Sequence, residues 1–396
     1  VILNLNDSTK ESGQFSPWVV HNKNLKGECP YYPFDLMLSL EYKPYTLHFK
    51  FIAGTSRGIM TQREVWFIRI CDTSELSQGG IGEVAPLFGL SVEDISKVPS
   101  RLAELSTEIE FFNTPQDIEE SFELARHLGV GFPSIQMGLE MALLDLVQSD
   151  TKKWFSSPYI ESKRAINING LVWMGNPSFM REQIQEKISA GFDCIKLKIG
   201  ALDFEQEIEI LKFLKSLSSE ISVRVDANGA FLTRDAKKKL ELLNDFDLHS
   251  IEQPIKKGQW DQMKKLTLQS KVPIALDEEL IGIPSDVDKV HLLDYLQPAF
   301  VVLKPSLLGG FAETSKWITY AEERDIGWWV TSALESNIGL NAISQFVGQF
   351  KTSMAQGLGT GQLYHNNLAS KSYLVGSKML YDEDRKDELP FETKII

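Results

Sequence analysis

The sequence has few cysteines, no long apolar run and no excess of positive charge. Its three cysteines, Cys29, Cys71 and Cys194, are too scattered for a disulfide framework or a paired-cysteine metal site, so we expect reduced thiols. No apolar segment approaches the ~18–20 residues of a membrane span, and no basic-then-apolar start resembles a signal peptide. We therefore expect a cytoplasmic protein that does not associate with membranes.

The net charge of −13 argues against nucleic acid as a partner, because phosphate binding requires a basic surface. A small anionic substrate is still compatible with this charge, since a bound cation and a few lysines can invert the field locally. The sequence carries no prediction of the oligomeric state.

The length of 396 residues suits a barrel of about 200–250 residues together with a second domain. We predict an N-terminal extension (1–36), an α+β capping domain (37–160), a barrel domain (161–364) and a C-terminal segment (365–396) that returns to the capping domain. The extension is mostly polar and has no sustained apolar period. The capping domain is predicted from the strand-like runs TLHFKFIA, REVWFIRI and GIGEVAP and from helical patterns near 115–128 and 134–149.

After residue 163 short apolar strands alternate with amphipathic helical stretches, which is typical of a parallel α/β barrel. The fold class that we predict is a TIM-type barrel of the (β/α)7β form, and an open doubly wound sheet is the alternative. The predicted strands are 166–170, 193–199, 221–227, 249–255, 272–278, 300–306, 327–333 and 353–359.

Charged residues lie near the carboxyl ends of five successive predicted strands, although strands buried in a parallel barrel should be nearly continuous apolar runs. The carboxyl ends of barrel strands form one face, on which active sites are built. Burying one such charge without a partner is costly, so the set indicates a functional site. The charged residues are Lys196, Lys198, Asp226, Glu252, Asp277, Glu278 and Lys304.

Asp226, Glu252 and Asp277 come from consecutive predicted strands, so their carboxylates can converge on one point. Three carboxylates repel one another unless a cation lies among them, and oxygen ligands favour Mg²⁺ or Mn²⁺ over zinc. The alternative is that these acids form buried salt bridges with the lysines. Lys196 and Lys198 share one face of their strand, and two adjacent ammonium groups near a metal should lower each other's pKa. A neutral lysine is a competent base.

The motifs KLK, VDANGAF, IEQP, ALDEE and LKPSLLGG resemble those of the muconate-lactonizing branch of the enolase superfamily. In this superfamily a lysine or histidine base works with Mg²⁺ on an enediolate. The resemblance implies the following roles: metal ligands Asp226, Glu252 and Asp277; base Lys198, tuned by Lys196; a lysine on the opposite face, Lys304; and supporting groups Asn228 and Glu278.

Three further passages, AGTSRG (53–58), TSALESNIGLNAI (331–343) and GLGTGQLY (357–364), resemble the o-succinylbenzoate synthase family within this branch. The resemblance implies Mg²⁺-dependent dehydration of a small carboxylate, 2-succinyl-6-hydroxy-2,4-cyclohexadiene-1-carboxylate, to 2-succinylbenzoate in menaquinone biosynthesis. It also implies a set of substrate contacts. These are Thr55, Ser56, Arg57, Ser332, Leu358 and Gly359.

Several alternatives stay open at this point. Leu358, Gly359 and Thr360 stand where dipeptide epimerases of the branch carry a DxD pair, which argues against that activity. N-succinylamino acid racemase activity occurs on near-identical sites. A catalytically dead barrel that serves as a binding protein is the hypothesis from another class. Arg57 either clamps a substrate carboxylate or is a solvated loop charge, and the expected role of Trp328 and Trp329 is core packing.

Overall fold

A computed structural model of the protein describes residues 38–55, 58–73, 79–148, 151–283 and 285–391. The predicted N-terminal extension lies outside these residues. No helix in the described ranges combines the length and the apolar character that crossing a membrane requires.

Three antiparallel strands and three helices form the capping domain. The elements are β1 (Leu38–Thr55), β2 (Gly58–Asp72), β3 (Gly80–Val84), α1 (Val98–Glu108), α2 (Ile118–Leu128) and α3 (Pro133–Val147), with the sheet in the order β1-β2-β3. Helix α3 is buried along nearly its whole length, and its backbone touches β3 so closely that side chains at Gly80 and Gly82 would collide with it. Glycine therefore permits the close packing of this helix on the sheet.

A parallel sheet of seven strands follows, with helices between successive strands, as in a TIM-type fold. Its strands run in chain order across the sheet, which places their carboxyl ends at one edge. In chain order the elements are β4 (Ile166–Asn167, in another sheet), β5 (Gly170–Val172), α4 (Pro177–Ser189), β6 (Cys194–Lys198), α5 (Phe204–Leu217), β7 (Ser222–Asp226), α6 (Thr233–Leu243), β8 (Ser250–Glu252), α7 (Trp260–Gln269), β9 (Ile274–Leu276), α8 (Asp286–Leu296), β10 (Phe300–Leu303), α9 (Pro305–Leu308), α10 (Gly310–Glu322), β11 (Gly327–Val330) and α11 (Asn337–Gly348).

The prediction of one continuous barrel strand over 166–170 is wrong, because the backbone changes its hydrogen-bond partners within this segment. The backbone N–H of Ile168 donates to Ser377 O (2.9 Å), whereas that of Asn169 donates to Gln356 O (2.9 Å). Residues 166–167 consequently belong to a small antiparallel sheet, and the parallel sheet begins only at β5.

The last predicted strand, 353–359, contributes isolated bridges and no extended ladder among the described residues. Gln356 bridges to Ile168, and Gly357 bridges to Thr331 at the end of β11. These bridges connect the two outer strands of the seven-stranded sheet through one short stretch of backbone.

The C-terminal part of the chain contacts both domains. Its hairpin, β12 (Ser372–Val375) and β13 (Lys378–Tyr381), pairs with β4 in the order β12-β13-β4. Beyond the hairpin, Pro390 O accepts a hydrogen bond from Lys43 Nζ (3.3 Å) on β1. Before it, Asn366 O accepts one from the Tyr45 hydroxyl (2.7 Å), also on β1.

Two buried glutamates of the capping domain bind the amino ends of barrel helices. Glu83 accepts hydrogen bonds from the backbone N–H groups of Ser336 and Gly339 (both 2.8 Å) at the start of α11. Glu140 accepts from the backbone N–H of Phe311 at the start of α10. Burial raises the pKa of Glu83 to about 7 and that of Glu140 to about 8. These carboxyls fill the unsatisfied donor positions of each helix and so join the domains.

Candidate active site

The register of the parallel strands aligns the charged residues in a row. Lys198 on β6 is paired with Asp226 on β7, and Asp226 is in turn paired with Glu252 on β8. Asp277 and Lys304 directly follow the next two strands, β9 and β10. All five side chains thus lie at the carboxyl edge of the sheet, as the sequence predicted.

The carboxylates and ammonium groups are buried and in direct contact. Lys196 Nζ lies 2.5 Å from Glu252 Oε2 and 2.9 Å from Asp226 Oδ2. Lys198 Nζ lies 2.6 Å from Asp226 Oδ2, and Lys304 Nζ is paired with Asp277. The structure therefore contains the buried salt bridges between acids and lysines that the sequence analysis gave as the alternative to a metal site.

Within the described ranges, no three carboxylate, histidine or cysteine side chains are already arranged as a metal-binding cluster. The three acids are instead paired with lysines. One observation nevertheless fits a cation. Glu252 Oε1 is buried and has no hydrogen-bond partner among the described residues, so it is an acceptor available to a ligand. The donor set consists of oxygens only, which suits a hard divalent ion such as Mg²⁺.

The three lysines differ in their proton affinity. Burial lowers the pKa of Lys198, and the positive charges of Lys196 and Lys304 lower it further, against the opposing effect of Asp226. Burial also acts to lower the pKa of Lys196 and of Lys304, but neighbouring carboxylates outweigh it and both pKa values are raised. The expectation that Lys196 and Lys198 lower each other's pKa is therefore wrong for Lys196. Lys198 is the one whose surroundings favour the neutral amine.

The carboxylates also differ from one another. Burial and the neighbouring Asp226 raise the pKa of Glu252 to about 8. Burial acts in the same direction on Asp226, yet Lys196 and Lys198 hold its pKa well below the usual range. Asp226 is thus the firmly ionised member of the pair.

Asn228 connects Lys198 to the acids around it. Its Oδ1 accepts a hydrogen bond from Lys198 Nζ (2.8 Å), and its backbone N–H donates to Asp226 Oδ1 (2.9 Å). Its Nδ2 donates to Glu278 Oε1 (3.1 Å). The φ of Asn228 is 44°, in the left-handed region that asparagine tolerates better than most residues. Of the two predicted supporting groups, Asn228 thus contacts the lysine directly and Glu278 contacts Asn228.

Gln253 is a supporting residue that the sequence analysis did not identify. Its fully buried amide oxygen accepts from the backbone N–H of Asp277 (3.2 Å) and of Glu279 (3.3 Å), and its φ of 40° is also left-handed. It therefore fixes the backbone at Asp277. The signal was present in the IEQP motif, where a polar residue directly follows Glu252.

A cavity of about 210 Å³ opens beside the lysines, and its described lining includes Lys196, Lys198 and Lys304 as its only charged residues. The capping domain supplies the opposite wall through 58–60 and 87–90. Three lysines and no carboxylate among the described lining residues favour an anionic ligand. The wall formed by 87–90 was missed by the sequence analysis, which found no charge or motif there.

The predicted substrate contacts fall into three groups. Ser332 and Gly359 line the cavity. The side chain of Leu358 is fully buried and does not line it, so the predicted contact of Leu358 is not supported. Thr55 ends β1 with its side chain outside the described part, and Ser56 and Arg57 lie outside the described residues altogether.

Asn169 is a further lining residue that the sequence analysis did not select. It lies just before β5, is 4% exposed, and its Oδ1 has no hydrogen-bond partner in the described part of the chain. Nothing in its sequence surroundings distinguishes it from an ordinary strand residue.

Comparison with known proteins accounts for this arrangement. The family model described as Enolase C-terminal domain-like matches residues 179–380, which is more than half of the chain. The chain belongs to the enolase superfamily. The o-succinylbenzoate synthase of Desulfotalea psychrophila is 42% identical over 363 residues, which are 86% of this chain and 98% of that protein. The resemblance inferred from the motifs is confirmed, both for the superfamily and for the o-succinylbenzoate synthase family within it.

Solved structures of the superfamily agree with this placement. MenC from Desulfotalea psychrophila has a TM-score of 0.78 at 38% identity, over 87% of this chain and 99% of that chain. A muconate lactonizing enzyme from Pseudomonas fluorescens, complexed with muconolactone, has a TM-score of 0.76 at 20% identity over 89% and 97% of the two chains. A dipeptide epimerase from Cytophaga hutchinsonii, complexed with Mg and a dipeptide, has a TM-score of 0.76 at 20% identity over 90% and 97%. The last two show a shared fold.

Proposed function

We propose that this enzyme is a hydro-lyase that converts 2-succinyl-6-hydroxy-2,4-cyclohexadiene-1-carboxylate to 2-succinylbenzoate, a step of menaquinone biosynthesis. The observation that carries the proposal is the 42% identity to an o-succinylbenzoate synthase over 98% of that protein. The cavity supports it, since the substrate is a small dianion and the charged residues of the described lining are three lysines.

Lys198 is proposed as the base. Its neutral amine removes the proton from the ring carbon that carries the carboxylate, and its lowered pKa supports this role. The resulting ammonium then returns a proton to the departing hydroxyl group. One C–H bond and one C–O bond break, one ring double bond forms, and water leaves as the ring becomes aromatic.

Lys304 is proposed to stabilise the negative charge that develops on the substrate. Lys304 directly follows β10, which is four strands away from β6 in the sheet. Both Lys198 and Lys304 line the cavity. The raised pKa of Lys304 keeps it protonated, which suits an electrostatic partner rather than a base.

Asp226, Glu252 and Asp277 are proposed as the ligands of one Mg²⁺, with Mn²⁺ as a substitute. When bound, the ion supplies a Lewis acid for the substrate carboxylate. The unpartnered Glu252 Oε1 and the all-oxygen donor set support the assignment. Lys196 contacts Glu252 and Lys304 contacts Asp277, so these ammonium groups would compete with the ion for the two carboxylates.

We further infer that the barrel is of the (β/α)7β form and occupies roughly 161–364, between the capping domain and the C-terminal segment. The bridges at Gln356 and Gly357 support closure of the seven-stranded sheet. Thr55, Ser56 and Arg57 precede Gly58 of the cavity wall, which supports a substrate contact from this loop.

The test is the formation of 2-succinylbenzoate by the purified protein, with Mg²⁺ and with excess chelator. We expect turnover with Mg²⁺ and its loss with chelator. No product in the presence of Mg²⁺ would contradict the proposed reaction, and full turnover in chelator would contradict the metal site. Asp226→Ala should lose both metal binding and turnover while the fold survives.

N-succinylamino acid racemase activity is the second candidate, because lysines on both sides of one cavity could exchange a proton from either face. Polarimetry with N-succinyl amino acids measures it on the same preparation. Racemisation without dehydration would replace the first proposal. The absence of both activities would favour a binding protein.

A further inference from the structure

Two adjacent tryptophans on β11 face opposite sides of the sheet. Trp328 faces outward, where its Nε1–H donates to Glu322 Oε1 (3.0 Å) and its ring packs against Phe350 at 5.3 Å between centroids. Trp329 faces inward and lines the cavity that contains the lysines. The expectation of core packing for both residues accounts for Trp328 and leaves the position of Trp329 unexplained.

Trp329 is in register with Val302 and so lies deeper in the barrel than Lys304, which follows Val302 by two residues. Thr331, two residues further on the same face of the chain, lines the cavity nearer the carboxyl edge of the sheet. Val302, two residues before Lys304, and Ala275 pack against the indole in a small buried cluster. The ring therefore lies between Lys304, at the carboxyl edge, and the buried residues deeper in the barrel.

Arg224 packs on the face of the indole. Its guanidinium carbon lies 3.9 Å from the centroid of the Trp329 ring, and its Nη1 donates to Ala355 O (2.8 Å). Arg224 is 1% exposed and stands two residues before Asp226 on β7, so it too belongs to the deeper layer. A desolvated cation on the face of a tryptophan is a strong version of this contact and restricts how far the ring can move.

The indole N–H of Trp329 is buried and has no hydrogen-bond partner among the described residues, in contrast to that of Trp328. A tryptophan placed only for packing is expected to have this donor satisfied. Position, support from Arg224 and an unused donor together distinguish Trp329 from an ordinary core residue.

We infer that Trp329, supported by Arg224, is the floor of the substrate cavity and is a specificity-determining residue that limits the size of the ring that binds beside the lysines. The identity of that ring, a six-membered carbocycle, rests on the proposed function. A smaller side chain at this position deepens the cavity, and a larger fused ring can then enter.

The experiment compares Trp329→Leu and Trp329→Phe with the matched variants Trp328→Leu and Trp328→Phe. Equilibrium binding of 2-succinylbenzoate and of its naphthalene analogue is measured by calorimetry, and KM and kcat are measured for dehydration. We expect Trp329→Leu to bind 2-succinylbenzoate about tenfold more weakly and to gain affinity for the naphthalene analogue, through loss of ring stacking and gain of space. Trp329→Phe should raise KM more than it lowers kcat.

The variants at Trp328 should keep the wild-type ratio of the two affinities, even where their thermal stability falls. An unchanged ratio of the two ligand affinities in Trp329→Leu would overturn the inference. If Trp329→Leu does not fold, an unchanged KM in Trp329→Phe would overturn it instead. A wild-type protein that binds 2-succinylbenzoate in preference to the naphthalene analogue but does not dehydrate the precursor contradicts the proposed function alone. A wild-type protein that binds neither ligand overturns both.

Discussion

Replacing Lys198 with alanine removes the proposed base and should leave the site otherwise assembled. Asp226 Oδ2 loses the Lys198 amino group at 2.6 Å but keeps the ammonium group of Lys196 at 2.9 Å, and Asp226 Oδ1 keeps the N–H of Asn228. Stripping a buried charge of its partners costs about 3–5 kcal/mol, and here one partner remains, so we expect a loss of about 1–3 kcal/mol. The variant should stay folded.

Turnover should fall much further than stability. A general base contributes about 10²–10⁴ to a rate, and a loss of about 10³ corresponds to about 4 kcal/mol of activation free energy. The assay follows disappearance of the conjugated diene of the substrate, with circular dichroism as the control for folding and calorimetry for Mg²⁺ binding. Retained metal affinity with lost turnover separates the base from the ligands.

Arginine variants test the division of roles between the two lysines. Guanidinium stays protonated at accessible pH, so Lys198→Arg should be nearly as inactive as Lys198→Ala. Lys304→Arg keeps a cation on the other side of the cavity and should retain some turnover. Equal activity of Lys198→Arg and Lys304→Arg would refute the reasoning, and the base would have to be another group.

Four further changes have defined expectations. Arg63→Ala removes a buried guanidinium that donates to the carbonyl of Ala333 in the cavity lining and to that of Ala85, which shortly precedes the wall formed by 87–90. We expect kcat/KM to fall about tenfold or more with little loss of secondary structure, as measured by steady-state kinetics and circular dichroism; an unchanged kcat/KM would show that other contacts hold this wall. Because the pKa of Glu140 is raised from 4.5 to about 8, the folded chain holds a proton that the unfolded chain releases, and stability should decline as pH rises from about 4.5 through about 8. Glu140→Gln should flatten this decline in thermal melts between pH 5 and 9, and equal slopes would contradict the assignment. Arg57→Ala should raise KM with a smaller change in kcat, and unchanged constants would return it to the solvated loop charges. A chain that begins at Met37, without residues 1–36, should keep most of its kcat, unless the extension reaches the site.

The position of the charged residues at the carboxyl edge could be predicted, because it depends only on the order of the strands and on the rarity of charge in buried strands. Parallel strands in chain order put Lys198, Asp226 and Glu252 side by side, and a buried charge is conspicuous in an apolar strand. The direction of each pKa shift could not be predicted in the same way. Lys196 contacts two carboxylates and Lys198 contacts one, a difference that depends on side-chain positions and not on spacing.

Contacts made between distant parts of the chain account for the remaining differences. The first barrel strand changes partner at Ile168 because the C-terminal hairpin competes for its backbone, over 200 residues away in sequence. Leu358 turns into the core while Gly359 reaches the cavity, and nothing in the glycine-rich passage distinguishes the two. The wall formed by 87–90 is apolar and lies in another domain, so it gave no local signal.

The hydrogen bonds of the C-terminal segment to β1 have a consequence for the order in which the protein is built. Pro390 and Asn366 bind Lys43 and Tyr45 across separations of 347 and 321 residues. The chain leaves the ribosome from its amino end, so more than 300 further residues must be synthesised before these partners of β1 emerge. Contacts of such high sequence separation are also slow to close. We expect the capping sheet to acquire its full protection from hydrogen exchange only after Asn366 and Pro390 have left the ribosome, and a nascent chain stalled before residue 366 to remain a substrate for chaperones.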